Sequence, residues 1–121
     1  MSDKTLRTGD YLGHILQAIA RIQRYTTGLT ETAFCADEMV QDAVIRNIEI
    51  IGEAARNVER NDPTFAQQHS GVPWAVMYGM RNRLSHGYHQ IDLQLVWNTV
   101  QNDLPVLAHM INALLPADDH A

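Results

Sequence analysis

Ten consecutive residues, Met80 to His89, read MRNRLSHGYH and hold two arginines, two histidines, an asparagine, a serine and a tyrosine. These are side chains suited to handling a phosphate. An arginine guanidinium grips phosphate oxygens through paired N–H bonds and keeps its charge at every working pH. A histidine titrates near neutrality and can take or give a proton. RNA brings its own nucleophile, the 2′-OH beside each phosphodiester. Arg81 as charge stabiliser and His86 as base therefore make a minimal set for cutting RNA without a metal ion. No Asp or Glu occurs from Pro63 to Ile91, so the cluster has no neighbouring carboxylates in sequence to hold Mg²⁺. Asn82 and Ser85 are candidates to orient the phosphate or the histidine. Arg83 is placed to touch RNA backbone or to face solvent, and His89 to extend the basic cleft. The plainer alternative is a helix end, where cations complement the helix dipole. Spacing alone favours that alternative.

The spacing also sets a geometric problem. Asn82 and His86 are four residues apart, as are Arg81 and Ser85, so each pair shares a helix face. Arg81 and His86 are five apart, about 140° around an ideal helix. One regular helix does not aim both at one point. The long reach of Arg81, a helix loosened near Gly87, or a second copy across a two-fold axis would each solve this. In the last case Arg81 of one chain sits beside His86 of the other.

Other chemistry-bearing residues are weaker candidates. Glu49 and Glu53 are four apart on a helix, a spacing that permits metal binding or acid–base work. It more often marks a solvated face or partners for arginines such as Arg46 and Arg56. Gly52, between them, is expected to allow close helix packing. His86 and His89 form an H-x2-H pair, but zinc needs about four ligands. Cys35, His69 and His109 are scattered and no CxxC accompanies them, so no metal is expected, nor any cofactor. Trp74 and Trp97 read as packing anchors, and Met77, Tyr78 and Met80 as core or interface.

These residues need a scaffold, and the chain supplies helices. Its 121 residues are 45% apolar and 19% charged, the profile of one globular domain over residues 1–121. A formal net charge of −5 argues against a broad basic nucleic-acid coat but leaves room for a small basic site. The lone Cys35 fits a reducing cytosol. The opening MSDKTLRTGD has no apolar stretch, so no secretory leader is expected, and no apolar run nears the ~20 residues of a membrane span. Leu12, Ile15, Leu16, Ile19 and Ile22 predict a first helix over about Thr8 to Thr27, closed by Gly28. A turn or helical start follows at Thr30 to Cys35. Val44, Ile48, Ile51, Ala55 and Val58 predict a second long helix over Asp37 to Glu59, broken at Asn61-Asp62-Pro63. Thr64 to Gly71 reads as irregular or briefly helical. A third helix is predicted from Pro73 to about His86, stopped by Gly87. The last is capped by Asp92, reaches about Leu115, and is expected to kink at Pro105. No run alternates with period two, so no sheet is expected. Four main helices with short links predict an all-α, antiparallel bundle.

Arg81 and His86-Gly87-Tyr88 together give the pattern R-x4-H-x-Y, which resembles HEPN domains, and among them HepT-like toxins. The second-helix stretch RNIEIIGEA, Arg46 to Ala54, also resembles that subgroup, as do Pro73 to Gly79 and Asp92 to Trp97. The resemblance spans nearly the whole chain. It implies a HEPN-type helical bundle that forms a two-fold homodimer, with paired motifs lining the interface. It implies a metal-independent endoribonuclease, the cytoplasmic toxin of a type VII-like toxin–antitoxin pair, cleaving tRNA or mRNA. Arg81 and His86 would be catalytic, with Glu49 and Glu53 giving second-helix support. It implies a minimal nucleotidyltransferase as antitoxin, which adds AMP to Tyr88 and silences the enzyme. The alternative is a non-catalytic nucleotide- or RNA-binding subunit of such a nucleotidyltransferase.

Overall fold

The computed structural model describes residues 3–86 and 90–115. Two long helices carry most of the core. The first, α1, spans Asp3–Thr26, and buries Leu12, Ile15, Ile19 and Ile22 with Leu16 at the margin. It ends where the Thr26 hydroxyl donates to the Ile22 carbonyl and Gly28 takes a φ of +79°, a left-handed turn that suits only glycine well. A short α2, Glu31–Cys35, follows, with the Thr30 hydroxyl accepting the Ala33 N–H as its cap.

The second long helix, α3, spans Glu38–Asn61 and starts from Asp37, whose carboxylate accepts the Val40 N–H. Its stripe Val44, Ile48, Ile51, Ala55 and Val58 is almost wholly buried. That stripe packs chiefly on α1, the most extensive contact in the molecule. At the far end Asp62 ties three elements together. It caps α4, Pro63–Gln68, by accepting the Phe65 N–H, and its other oxygen accepts the Thr8 hydroxyl of α1 at 2.9 Å.

The predicted third helix is corrected by the structure. Instead of one rod to His86 there are two short pieces, α5 over Trp74–Tyr78 and α6 over Met80–Arg83. Gly79, a poor helix former, sits at their junction with ψ at 0°, outside helical geometry. The helix stops at Arg83 rather than Gly87, because the Leu84 N–H closes back on the Met80 and Arg81 carbonyls. The chain then extends, and the expectation of no sheet is corrected too. Strands β1, Ser85–His86, and β2, Gln90–Ile91, pair antiparallel with Ser85 opposite Ile91 and His86 opposite Gln90. The Asp92 N–H donates to the Leu84 carbonyl at 2.7 Å and closes the base of this hairpin. Strands of two residues are too short for a period-two pattern to be seen in sequence.

Asp92 then caps α7, Leu93–Asn98, by accepting the Leu95 N–H at 3.1 Å, as its position predicts. The irregularity in the last helix begins before Pro105. Residues Thr99–Asp103 form a π turn, in which the Leu104 N–H reaches the Thr99 carbonyl, and α8 follows over Leu104–Asn112. The wide turn puts Pro105 in the first turn of a new segment, where its missing N–H leaves no gap. Val96, Val100, Leu104, Leu107 and Ile111 all stay buried across the irregularity. Trp97 stacks near Phe34 at 5.4 Å between ring centres, joining α7 to α2. The result is an all-α fold with one small hairpin. Among the described residues no helix is long and apolar enough to cross a membrane.

Ile51 is fully buried at the middle of α3. Ile51→Ala is expected to lower unfolding free energy by about 2–5 kcal/mol, read as a lower urea midpoint with little change in slope.

Candidate functional site

Glu49, Gly52, Glu53 and Arg56 recur at steps of three, one and three along α3 and fall on one side of it. α5 crosses that side at very close range. A Cβ placed on Gly52 would lie 3.0 Å from the Met77 carbonyl oxygen and 3.1 Å from the Tyr78 Cα. Those neighbours are backbone and cannot swing away, so the expected packing role of Gly52 is what the structure shows.

The crossing delivers Arg81, on α6, to Glu49, on α3. Arg81 Nε lies 2.6 Å from Glu49 Oε2. Arg46 Nη1 lies 3.9 Å from the other oxygen, so Glu49 sits between two arginines. The Arg81 Nε is buried against the carboxylate, yet its N–H is not aligned on the oxygen as a hydrogen bond. Distance is the better guide to this contact: it is an ion pair held by charge, without hydrogen-bond direction. The Arg81 and Glu49 side chains stay 39% and 38% exposed, so the pair contributes at most about 1 kcal/mol. What it supplies is a fixed stem for the arginine. Residues 63–91 lack carboxylates in sequence, but α3 brings one into direct contact in space. That corrects the view of the cluster as free of nearby carboxylates.

Arg81, Asn82, Glu49 and Glu53 line one open depression of about 430 Å³, together with Arg56 and Tyr78. Arg83 and Ser85 lie apart from it. Arg83 is exposed and borders a different groove, against the last helix. The Ser85 hydroxyl donates to the Arg81 carbonyl at 3.0 Å and so finishes the helix end. His86 enters through its backbone pairing with Gln90. The His86 side chain, and Gly87, Tyr88 and His89, lie outside the described residues. The 140° problem changes form, because Arg81 is on a helix and His86 is on a strand of the hairpin that follows.

Two participants were not evident from the sequence. Among the described residues Arg56 makes no ion pair with a glutamate. Its guanidinium sits 5.5 Å from the centre of the Tyr78 ring, a cation–π contact. Tyr78 is 40% exposed at the rim of the depression, while Met77 and Met80 beside it are buried as expected. The available signal was Tyr78 three residues before Arg81, which puts both on one side of a helical stretch. Among the described residues, no three of His, Cys, Asp and Glu gather as a metal site.

Comparison with known proteins places the chain among relatives with a shared family description. The family described as "Ribonuclease HepT-like" matches residues 15–114. A Thermococcus cleftensis protein named "Probable ribonuclease HepT" is 42% identical over 98 residues, covering 81% of this chain and 86% of its own. A Caldanaerobacter subterraneus subsp. tengcongensis protein named as a "Putative RNase" is 33% identical over 105 residues, 87% of this chain and 91% of its own. A Methanocaldococcus jannaschii protein named "Gamma-glutamylcyclotransferase and putative RNase" is 42% identical over 101 residues, 84% of this chain. This chain spans only 44% of that longer protein. No solved structure matches the chain.

Gly52→Ala is expected to force α3 and α5 apart and to destabilise the fold by about 1–3 kcal/mol. A thermal melt reads this directly, and a Tm equal to that of the unsubstituted chain would refute the close-contact account.

Proposed function

Because the chain belongs to the HepT-like ribonuclease family, we propose that it is a metal-independent endoribonuclease whose reacting groups are Arg81 and His86. The observation that carries the proposal is Arg81, fixed at its Nε by Glu49 while its side chain stays open to a depression wide enough for a phosphodiester. His86 removes the proton from a 2′-OH. The resulting oxygen attacks the adjacent phosphorus while the bond to the 5′-oxygen breaks. Arg81 stabilises the charge that builds on the phosphoryl oxygens. The leaving 5′-oxygen takes a proton from water and His86 returns its proton to solvent, giving a 2′,3′-cyclic phosphate and a 5′-OH. Glu49 supports this as a positioning residue. With two arginines around it, its charge is already engaged, which favours phosphate recognition by cation over recognition through a bound metal.

The enzyme is the cytoplasmic toxin of a type VII-like pair, acting on tRNA or mRNA as a two-fold homodimer. The dimer reading is supported by Val76, Leu95 and Val106, which are exposed around the groove beside Arg83 and offer an apolar face to a second copy. The antitoxin is a minimal nucleotidyltransferase that adds AMP to Tyr88. Each adenylate brings a phosphate and a bulky base into the motif, where they compete with RNA for Arg81 and His86.

Two tests follow. Arg81→Ala and His86→Ala should each lower RNA cleavage in EDTA by at least about a hundredfold, with cyclic phosphate at the ends made by the unsubstituted chain. Equal cleavage by all three proteins would remove both assigned roles. No cleavage by any, with partner binding intact, would leave an accessory subunit of the nucleotidyltransferase. Separately, incubation with that enzyme and ATP should add whole AMP masses to the chain and none to Tyr88→Phe. An unchanged mass of the unsubstituted chain would overturn the switch.

A further inference from the structure

The depression at Arg81 does not end there. Arg56, Arg60 and Tyr78 line it and also line a second hollow of about 670 Å³, which continues along α3 toward α4. The two hollows adjoin at those three shared residues and together make up a furrow along α3. On this basis, and resting on the ribonuclease reading above, we infer that the furrow is a binding track for single-stranded RNA flanking the cut, with Tyr78 as a stacking platform and Arg56 and Arg60 as phosphate contacts.

The chemistry of the shared residues points to a single strand. Tyr78 is a half-exposed ring on a helix anchored below by buried Trp74 and Met77. A rigid, exposed aromatic beside cations is the recurring means of holding unpaired bases, because every base has a stacking face. Arg56 and Arg60 are four apart on α3, both exposed, and neither makes an ion pair among the described residues. Arg56 already lies on the Tyr78 ring, so cation and ring form one preassembled surface. Glu53 and Glu59 border the furrow as well and repel phosphate. They confine a backbone to positions beside the arginines. From Glu49 to Arg60 the helix rises about 16 Å, roughly the length of four or five stacked nucleotides. A duplex would present its bases to itself and leave Tyr78 with nothing to stack on.

The test separates this track from the reacting groups. A labelled RNA of about ten nucleotides, in the size range of single-strand sites, is made uncleavable by 2′-O-methylation and its binding is followed by anisotropy. A 2′-O-methylated dinucleotide serves as the short comparison. The double substitution Arg56→Ala, Arg60→Ala should weaken the long RNA about tenfold and reduce its log–log salt slope by about 1.4, and should weaken the dinucleotide by clearly less. Tyr78→Ala should weaken the long RNA about tenfold, and Tyr78→Phe should restore it. Circular dichroism and thermal melts confirm that the variants fold, and Arg56→Lys with Arg60→Lys keeps the charge if the alanines do not. Unchanged affinity for the long RNA would overturn the track, and so would an equal loss for the dinucleotide. Unchanged RNA affinity with loss of a protein partner would make the furrow a protein-docking surface instead. Failure of the ribonuclease reading looks different, as tight binding of unmodified RNA that is never cut.

Discussion

The contact on which the rest depends is the one between the Gly52 Cα and the α5 backbone. Two helices normally keep 8–10 Å between axes because side chains stand between them. At Gly52 there is no side chain, and a methyl group there would crowd the Met77 carbonyl at 3.0 Å. Everything at the site follows from that approach. It carries α6 over α3, so that Arg81 reaches Glu49, and it sets Tyr78 beside Arg56. A larger residue at position 52 would disturb both pairs, because Tyr78 and Arg81 sit on the two consecutive helical pieces α5 and α6.

The segment is itself held from the other side. Leu84 and Met80 are buried, and Leu84 accepts the Asp92 N–H that closes the hairpin. The hairpin base is thus tied to the start of the last helix, whose Asp92 cap and buried Val96 and Val100 are anchored in the core. The π turn lets that helix continue past Pro105 without withdrawing its apolar stripe from the core. The helical part of the motif, Met80–Arg83, therefore lies between two firmly packed elements, α3 and the last helix, although it is only four residues long.

What could be seen in the sequence was what depends on local order. The stripes of α1, α3 and the last helix are periodic, and Asp37, Asp92 and Gly28 are end signals with a mechanism, so the helices and their ends were legible. The close packing at Gly52 was also foreseeable, since a glycine inside a strong helical pattern needs a reason to be there. The break at Gly79 was hidden because the apolar spacing of Trp74, Met77, Met80 and Leu84 runs smoothly through it. The hairpin was hidden because its strands are too short to carry a pattern. The Arg81–Glu49 pair was hidden for another reason: it joins residues far apart in the chain, and Glu49 has Arg46, a nearer cation, one turn away. Only the fold decides between those two partners.

The strength of that pair matters as much as its existence. Buried, an arginine–carboxylate pair would resist separation, since pulling it apart strands a charge in a poor solvent at a cost of about 3–5 kcal/mol. Here both side chains are more than a third exposed, so water already screens the attraction. Nor is the Nε–H aligned on its carboxylate. A phosphate offering aligned, charge-assisted hydrogen bonds, at about 1.5–3 kcal/mol each, has the advantage over such a contact. Glu49 can therefore hold the arginine in place in the absence of ligand and still yield to one. On the ribonuclease reading proposed above, an acidic chain thereby keeps Arg81 ready for an anion.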